Sequence, residues 1–145
     1  MKFKYHIMML MATLIATICF LGMTSTIAQY YVKKHEMNLK RVQVEKFHML
    51  LKEMIRRESN GQHEGCWGDN YTSYGKCQFQ YSTFELYKAK YKMWKANYFN
   101  ANDQVALMAR MVQDGFGKEW AVYKAAYQTV YGTSPPERGV KLLIA

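Results

Sequence analysis

An apolar helical stripe that ends in a carboxylate constrains this chain more than any other feature. Apolar side chains recur every three or four residues in one segment, at Phe47, Leu50, Leu51, Met54 and Ile55. This spacing places them on one face of a helix, and Glu58, seven residues past Leu51, continues that face. The run Ser59-Asn60-Gly61 then predicts the end of the helix, because Gly suits the left-handed position that follows a helix.

Glu58 has two interpretations. If it is buried, the cost of burying its charge raises its pKa, and a carboxyl group with a raised pKa can act as a general acid. If the helix simply ends here, Glu58 turns into solvent, as most glutamates at helix ends do. The segment from Gly65 to Tyr74 favours the first interpretation, because it brings aromatic and hydroxyl side chains suited to binding a sugar.

Four elements in order carry a resemblance to a known family. They are Glu58-Ser59-Asn60-Gly61, then Tyr74-Gly75-Lys76-Cys77-Gln78-Phe79 with Ser82-Thr83-Phe84, then Asn102-Asp103-Gln104-Val105-Ala106, and then Gly115-Phe116-Gly117-Lys118-Glu119-Trp120. From about Phe47 to Tyr127 the chain resembles the lysozyme-like superfamily. The closest pattern is the transglycosylase-like domain of resuscitation-promoting factors, with the soluble lytic transglycosylases as wider relatives. The chain departs from the factors at Arg57 and Tyr123, where they carry cysteines, and from the soluble enzymes at Lys76-Cys77, where they usually carry Leu-Met.

The resemblance implies a fold and a reaction. The expected fold is mainly α, of the α+β lysozyme-like kind: a small helical domain with a short irregular β or loop region beside the cleft. The expected reaction is cleavage of the MurNAc-GlcNAc β-1,4 bond of peptidoglycan, with Glu58 as general acid and then base and a 1,6-anhydro sugar as product. The candidate substrate contacts are Ser73, Tyr74, Gln78, Trp67, Asp69 and Tyr127.

Several of these candidates have a structural alternative. Asp69 lies between Gly68 and Asn70, where a carboxylate more often makes a local turn bond. Ser73 is equally suited to hydrogen bonding within the loop, and Trp67 to covering the core. Tyr127 is assigned by the similarity of Ala125-Ala126-Tyr127-Gln128 to the Ala-Tyr-Asn element of the soluble transglycosylases, although Gln128 replaces the Asn.

Two other functions remain open. A hydrolytic lysozyme of the two-carboxylate type needs a second acid, and Glu64 and Asp69 are the candidates. A non-catalytic wall-binding module of an envelope assembly would keep the fold without the reaction, but it has no reason to keep a buried acid.

Composition restricts the partners. The chain has 145 residues, enough for one small domain, and carries 20 Lys and Arg against 11 Asp and Glu, for a net charge of +9. A basic surface suits a polyanion such as a cell wall with peptide carboxylates. The basic residues are scattered, which disfavours nucleic acid. We expect a monomer that binds peptidoglycan glycan strands without a cofactor or a metal, since the four histidines lack ligand spacing.

The chain divides into four predicted segments. Residues 1–28 have a basic start, an uncharged run and a small-residue end, as in a signal peptide; an uncleaved membrane anchor is the alternative. Residues 29–41 are a linker or the start of the first helix, residues 42–131 are the domain, and residues 132–145 are a tail. The protein is therefore expected in the periplasm or the extracellular cell wall, with a membrane tether in the anchor case.

Three further helices are predicted within the domain. Ser82 or Thr83 caps the first of them and Asn102 caps the next. The last runs from Trp120 to Tyr131. Cys66 and Cys77 flank the turn-rich loop; in an exported domain they can form a disulfide, and the alternative is two separate thiols with Cys77 as a small buried hydrophobe.

Overall fold

The computed structural model of the chain describes residues 2–137 and residue 142, and only the backbone of some residues between 2 and 21. It forms two compact units, Met1–Arg41 and Val42–Ala145. The predicted tail, residues 132–145, lies partly outside the described residues, and so does the first residue of the predicted N-terminal segment.

Helix α1 spans Lys2–Ser59. No proline interrupts it, and residues 29–41 are helical throughout, which is the second of the two alternatives for that segment. None of the helices within the described residues combines the length and apolar character that crossing a bilayer requires. The predicted stop is confirmed, because Asn60 and Gly61, which follow the helix, have φ of 52° and 81°.

The apolar stripe of α1 packs into the core of the second unit. Leu50 and Met54 are fully buried, and Phe47 and Leu51 are 7% exposed, so the helical periodicity is confirmed. Full burial of one such side chain stabilises the fold by about 1.5–3 kcal/mol. The stripe meets apolar side chains from the rest of the unit, chiefly Phe79, Phe84, Leu107, Met108, Met111 and Val112.

A small antiparallel sheet follows α1. Strands β1 (Trp67–Gly68), β2 (Ser73–Tyr74) and β3 (Phe79–Gln80) pair in the order β1-β2-β3. Ser73 pairs with Gly68 on one side and with Gln80 on the other. The prediction of a mainly helical small domain with a short β region is confirmed at this level.

The remaining helices begin at other residues than predicted. Helix α2 spans Tyr81–Lys90, and Gln80 rather than Ser82 or Thr83 precedes it, because β3 runs directly into the helix. Helix α3 spans Ala101–Gln113 and is capped two residues earlier than predicted, since Asn100 Oδ1 accepts hydrogen bonds from the backbone N–H groups of Asn102 and Asp103.

The last predicted helix is shorter than expected. A 3₁₀ helix covers Gly117–Glu119, and α4 spans Tyr123–Tyr131. Trp120 is not helical because it lies between these elements with an extended backbone, and its indole is buried. The start predicted at Trp120 is therefore wrong by three residues.

Candidate functional site

A pocket of about 310 Å³ lies at the end of α1 and contains the predicted acid. Its walls come from the end of α1, the β1–β2 turn, β3, the start of α2 and the segment around the 3₁₀ helix. We call it the acid pocket, and its lining residues are Glu58, Asp69, Gln78, Phe79, Gln80, Thr83, Glu119, Trp120 and Ala121.

A larger groove of about 1060 Å³ lies elsewhere on the second unit, between α1, α3 and α4. Its lining includes apolar side chains and Glu53, whose carboxylate is paired with Arg56 and Arg57. It contains none of the predicted substrate contacts. Chemistry rather than size therefore identifies the acid pocket as the candidate site.

Glu58 lies half-buried in the acid pocket. Burial raises the pKa of its carboxyl group above the usual 4.5, and the negative charge of Asp69 raises it further. Both effects penalise the ionised form, so a proton is retained to higher pH than on an exposed glutamate. This is the direction of shift that the sequence predicts for a buried Glu58.

The end of α1 is fixed to the turn between β2 and β3. Ser59 Oγ donates a hydrogen bond of 2.8 Å to the carbonyl oxygen of Lys76, and it lies 3.2 Å from the carbonyl oxygen of Ile55 in the preceding turn. Because Ser59 adjoins Glu58 and is itself buried, this contact holds the acid at a defined position relative to the turn.

Gln78 lines the acid pocket with its amide group already engaged. Its Oε1 accepts a 2.9 Å hydrogen bond from Ser73 Oγ, and its Nε2 donates to the carbonyl oxygens of Gly75 (2.8 Å) and Cys66 (3.2 Å). Both amide hydrogens are therefore committed, while Oε1 keeps one lone pair. Gln78 can accept a hydrogen bond from a ligand N–H or O–H, but it has no proton left to donate.

Ser73 does not reach the pocket. Its side chain is fully buried in β2, and its hydroxyl proton is given to Gln78. The structure has the alternative for Ser73, hydrogen bonding within the loop, and its contact with substrate stays a prediction. Ser73 is a positioning residue, because it fixes the orientation of the Gln78 amide.

Asp69 is the second predicted carboxylate that the fold brings to Glu58. It is exposed, has φ of 49° in the turn between β1 and β2, and lines the acid pocket. The turn bond expected for it is made by its backbone, since its carbonyl oxygen accepts from Thr72 Oγ1 at 2.8 Å. Glu64, the other candidate, is exposed and does not line the pocket.

Three predicted sugar contacts lie away from the acid pocket. Tyr74 is 9% exposed, and its ring packs 4.8 Å from that of Trp67, which is 45% exposed. Tyr127 is buried and stacks on Tyr131 with ring centroids 4.3 Å apart. Tyr74 and Tyr127 belong to the core because neighbouring rings cover them, and only Trp67 keeps a face available to a ligand.

Gln104 is the most consequential residue that was not assigned a role from the sequence. It is fully buried in α3; its Oε1 accepts from the backbone N–H of Cys77, and its Nε2 donates to the carbonyl oxygens of Tyr74 and Tyr98. These bonds of 2.8–3.1 Å tie α3 to the turn that carries Gln78. A glutamine at the start of an amphipathic helix gives no such signal in the sequence alone.

Trp120 and Glu119 were also missed as parts of the site. The indole N–H of Trp120 donates to the carbonyl oxygen of Cys77 at 2.8 Å, and its ring meets Phe79 edge to face at 5.2 Å. Glu119 adds a third carboxyl group to the pocket lining. Both come from the Gly-rich turn near residue 117, which meets Glu58 only through the tertiary fold.

His63 supports the same turn from outside. Its Nδ1 accepts from the backbone N–H of Lys76 at 3.0 Å, and its Nε2 lies 2.8 Å from the carbonyl oxygen of Phe99. An imidazole that accepts at Nδ1 has Nε2–H to donate, which suits the carbonyl oxygen of Phe99. His63 therefore connects two backbone segments, at Lys76 and at Phe99.

Cys66 and Cys77 are separate thiols in the structure. Cys77 is fully buried, and burial raises the pKa of its thiol, while Cys66 Sγ lies 3.4 Å from Gln78 Nε2. This is the alternative in which Cys77 serves as a small apolar core residue. Among residues 2–137 and residue 142, no cluster of His, Cys, Asp and Glu has the arrangement of a metal site.

Comparisons with known proteins add no relative to this description. No family model, no curated protein and no solved structure matches the chain.

Proposed function

We propose that this protein cleaves the MurNAc-GlcNAc β-1,4 bond of bacterial peptidoglycan, with Glu58 as the general acid. The observation that carries the proposal is the half-buried Glu58, whose raised pKa suits proton donation, in a pocket that Gln78 also lines. Such a carboxyl group can protonate the bridging oxygen of a glycoside. Gln78 would accept a hydrogen bond from a hydroxyl or N-acetyl N–H group of the sugar.

The proposed reaction is transglycosylation. Glu58 gives its proton to the glycosidic oxygen as the bond from that oxygen to C1 of the muramic acid breaks. The 6-hydroxyl oxygen of the same sugar then attacks C1, and its proton passes to the Glu58 carboxylate, which restores the acid. The ring holds the hydroxyl close to C1, so intramolecular attack has a high effective concentration. The product is a 1,6-anhydro sugar.

Hydrolysis is the second candidate, and the position of Asp69 favours it. Asp69 lines the same pocket as Glu58, and its charge acts on the Glu58 pKa. A second carboxylate near the acid can position water or stabilise the oxocarbenium-like centre. The product would then have an ordinary reducing end.

Mass spectrometry of the fragments released from purified peptidoglycan tests the proposal. Transglycosylation gives muropeptides lighter by one water than hydrolysis does, and hydrolysis gives reducing-end products alone. Release of no fragment by the full chain would reject both reactions and leave the wall-binding module, which is tested by co-sedimentation with the same peptidoglycan.

A further inference from the structure

A second pocket adjoins the acid pocket. It has a volume of about 380 Å³ and shares Trp120 and Ala121 with the acid pocket. We call it the lysine pocket, and its lining residues are Lys118, Trp120, Ala121, Tyr123, Lys124, Ser134 and Pro135. The two pockets therefore border each other at Trp120 and Ala121.

The two pockets differ in the ionisable side chains that line them. Glu58, Asp69 and Glu119 line the acid pocket, whereas Lys118 and Lys124 line the other. The 3₁₀ helix forms the boundary, because its consecutive residues Lys118 and Glu119 contribute to different pockets. A ligand that fits both must carry its negative charge at the lysine end.

The two ammonium groups have no ion-pair partner among the residues that the structure describes. Within residues 2–137 and residue 142, neither Lys118 nor Lys124 forms an ion pair. Other lysines do have partners: Lys88 pairs with Glu85 at 3.1 Å, and Lys90 lies 3.8 Å from the ring centre of Phe116. Two exposed cations that line one concavity attract an anion, and salt weakens this attraction.

The wall between the pockets is rigid. Trp120 is held by its hydrogen bond to Cys77 and by its edge-to-face contact with Phe79. Tyr123, which lines the lysine pocket, is 2% exposed and packs against Tyr127. A preformed wall costs little to order on binding, which favours affinity.

We infer that the lysine pocket binds a carboxylate-bearing substituent of a glycan strand whose sugar ring lies in the acid pocket. The inference rests on the proposed function and adds that the enzyme prefers glycans with an anionic substituent next to the cleaved bond. Muramic acid offers two sources of this carboxylate: its own lactyl group, when no peptide is attached, and the peptide that is otherwise linked there. The shared chemistry is a carboxylate on a short arm from the sugar.

Calorimetric titration with three soluble probes tests the inference. The probes are a GlcNAc-MurNAc disaccharide with an attached peptide, the same disaccharide with a free lactyl carboxylate, and neutral chitobiose. The variants are Lys118→Gln/Lys124→Gln, the charge-retaining Lys118→Arg/Lys124→Arg, and the control Lys40→Gln/Lys95→Gln, which removes two exposed lysines outside both pockets.

The expected result is a loss of about tenfold in affinity for an anionic probe in the Gln variant at low salt, since two exposed charge contacts are removed. The Arg variant and the control should bind as the wild type does, and chitobiose should bind equally to all. The loss should shrink at 1 M salt, where the screening length is about 3 Å. A loss confined to the peptide-bearing probe identifies the peptide as the source, and a loss for both anionic probes identifies the carboxylate nearest the ring.

Equal affinity of the wild type and the Gln variant for all three probes would overturn the inference. The same proteins are then assayed for cleavage of intact peptidoglycan. Wild-type protein that cleaves no strand overturns the proposed function, while the titration still decides whether the lysine pocket binds carboxylates. A Gln variant that cleaves normally and binds normally rejects the lysine pocket and leaves the proposed function intact.

Discussion

Glu53 and Glu58 stand on the same helix, five residues apart, and their carboxyl groups have opposite properties. Hydrogen bonds from Arg56 at 2.8 Å, together with a contact to Arg57 at 2.7 Å, hold the pKa of Glu53 at about 2. Burial and the charge of Asp69 raise the pKa of Glu58. Near neutral pH, Glu53 is a fixed anion in an ion pair, whereas Glu58 retains its proton to higher pH than an exposed glutamate does.

The difference between the pKa values of Glu53 and Glu58 has one cause in the local sequence and one in the tertiary structure. Arg56 and Arg57 lie three and four residues after Glu53, the spacing at which side chains on a helix surface meet. Glu58 has no such partner, and its neighbours Asp69, Gln78 and Trp120 come from distant parts of the chain. An identical side chain therefore becomes a surface ion-pair partner or a candidate acid according to what the fold brings to it.

The largest expected effect is that of Glu58→Gln on the rate of peptidoglycan cleavage. Glu58→Gln keeps the size of the side chain but removes the transferable proton, so cleavage of peptidoglycan should fall by about 10²–10⁴-fold. Glu53→Gln is the matched control on the same helix and should cleave at the wild-type rate. Release of soluble muropeptides over time measures both, and a Glu58→Gln protein with wild-type activity would exclude Glu58 as the acid.

Gln104→Leu removes hydrogen bonds that support the turn beside Glu58, and it leaves the ion pairs of Glu53 in place. The change removes the acceptor of the Cys77 N–H and the donor to two carbonyl oxygens, and unfolding should become easier by about 2–4 kcal/mol. Chemical denaturation followed by circular dichroism measures this.

Gln113→Leu is the control for that change, because it lies on the same helix with an exposed side chain. Its effect should stay within about 0.5 kcal/mol. Equal destabilisation by the two changes would mean that the Gln104 hydrogen bonds contribute nothing specific.

Replacing each of the two glutamates by Gln should change Tm at pH 7 in opposite directions. The pKa of Glu58 is raised, so its contribution to stability is fully present below pH 4.5 and is lost as the pH rises through the raised pKa. Glu58→Gln should therefore raise Tm at pH 7 and leave it unchanged in acid. Calorimetric scans from pH 3 to pH 8 measure the difference.

Glu53→Gln should do the reverse. Its pKa of about 2 means that its contribution is present above pH 4.5 and is lost as the pH falls through 2. The variant should have a lower Tm than the wild type at pH 7, with a difference that shrinks in acid. Shifts of the same sign for both variants would contradict the assigned environments.

The smallest effect is expected for Asp69→Asn. The change removes the negative charge of Asp69, which is the second cause of the raised Glu58 pKa, but Glu58 stays buried. The pKa of Glu58 should therefore fall but stay above its usual value. Activity that needs protonated Glu58 should then decline at lower pH than in the wild type, which kcat/KM measured against pH reveals. Glu64→Gln, a change of an exposed acid outside the pocket, should leave the profile unchanged. A large rate loss at every pH would instead indicate that Asp69 takes part in the reaction, as in hydrolysis.

The parts of the site that could be predicted are those with a local signal. Helical spacing identified the buried stripe and placed Glu58 on it, and Asn60-Gly61 marked the end of the helix. The cap of α3 was misplaced because Asn100 and Asn102 have the same chemistry, and only the backbone conformation of residue 100 decides between them. The burial of Ser73, Tyr74 and Tyr127 could not be predicted, because residue type does not report burial.

The sequence by itself determined that the segment with the apolar stripe is an amphipathic helix, where α1 ends, and that a carboxylate closes its apolar face. These features follow from interactions between residues that are close along the chain. Only the tertiary structure decided that Asp69 and Glu119 join Glu58, that Ser73 and Gln104 fix the turn carrying Gln78, and that Trp120 separates an acidic from a basic pocket. The physical reason is that burial, desolvation and hydrogen bonds across 27 or 43 residues depend on which segments pack together, and no spacing pattern records that.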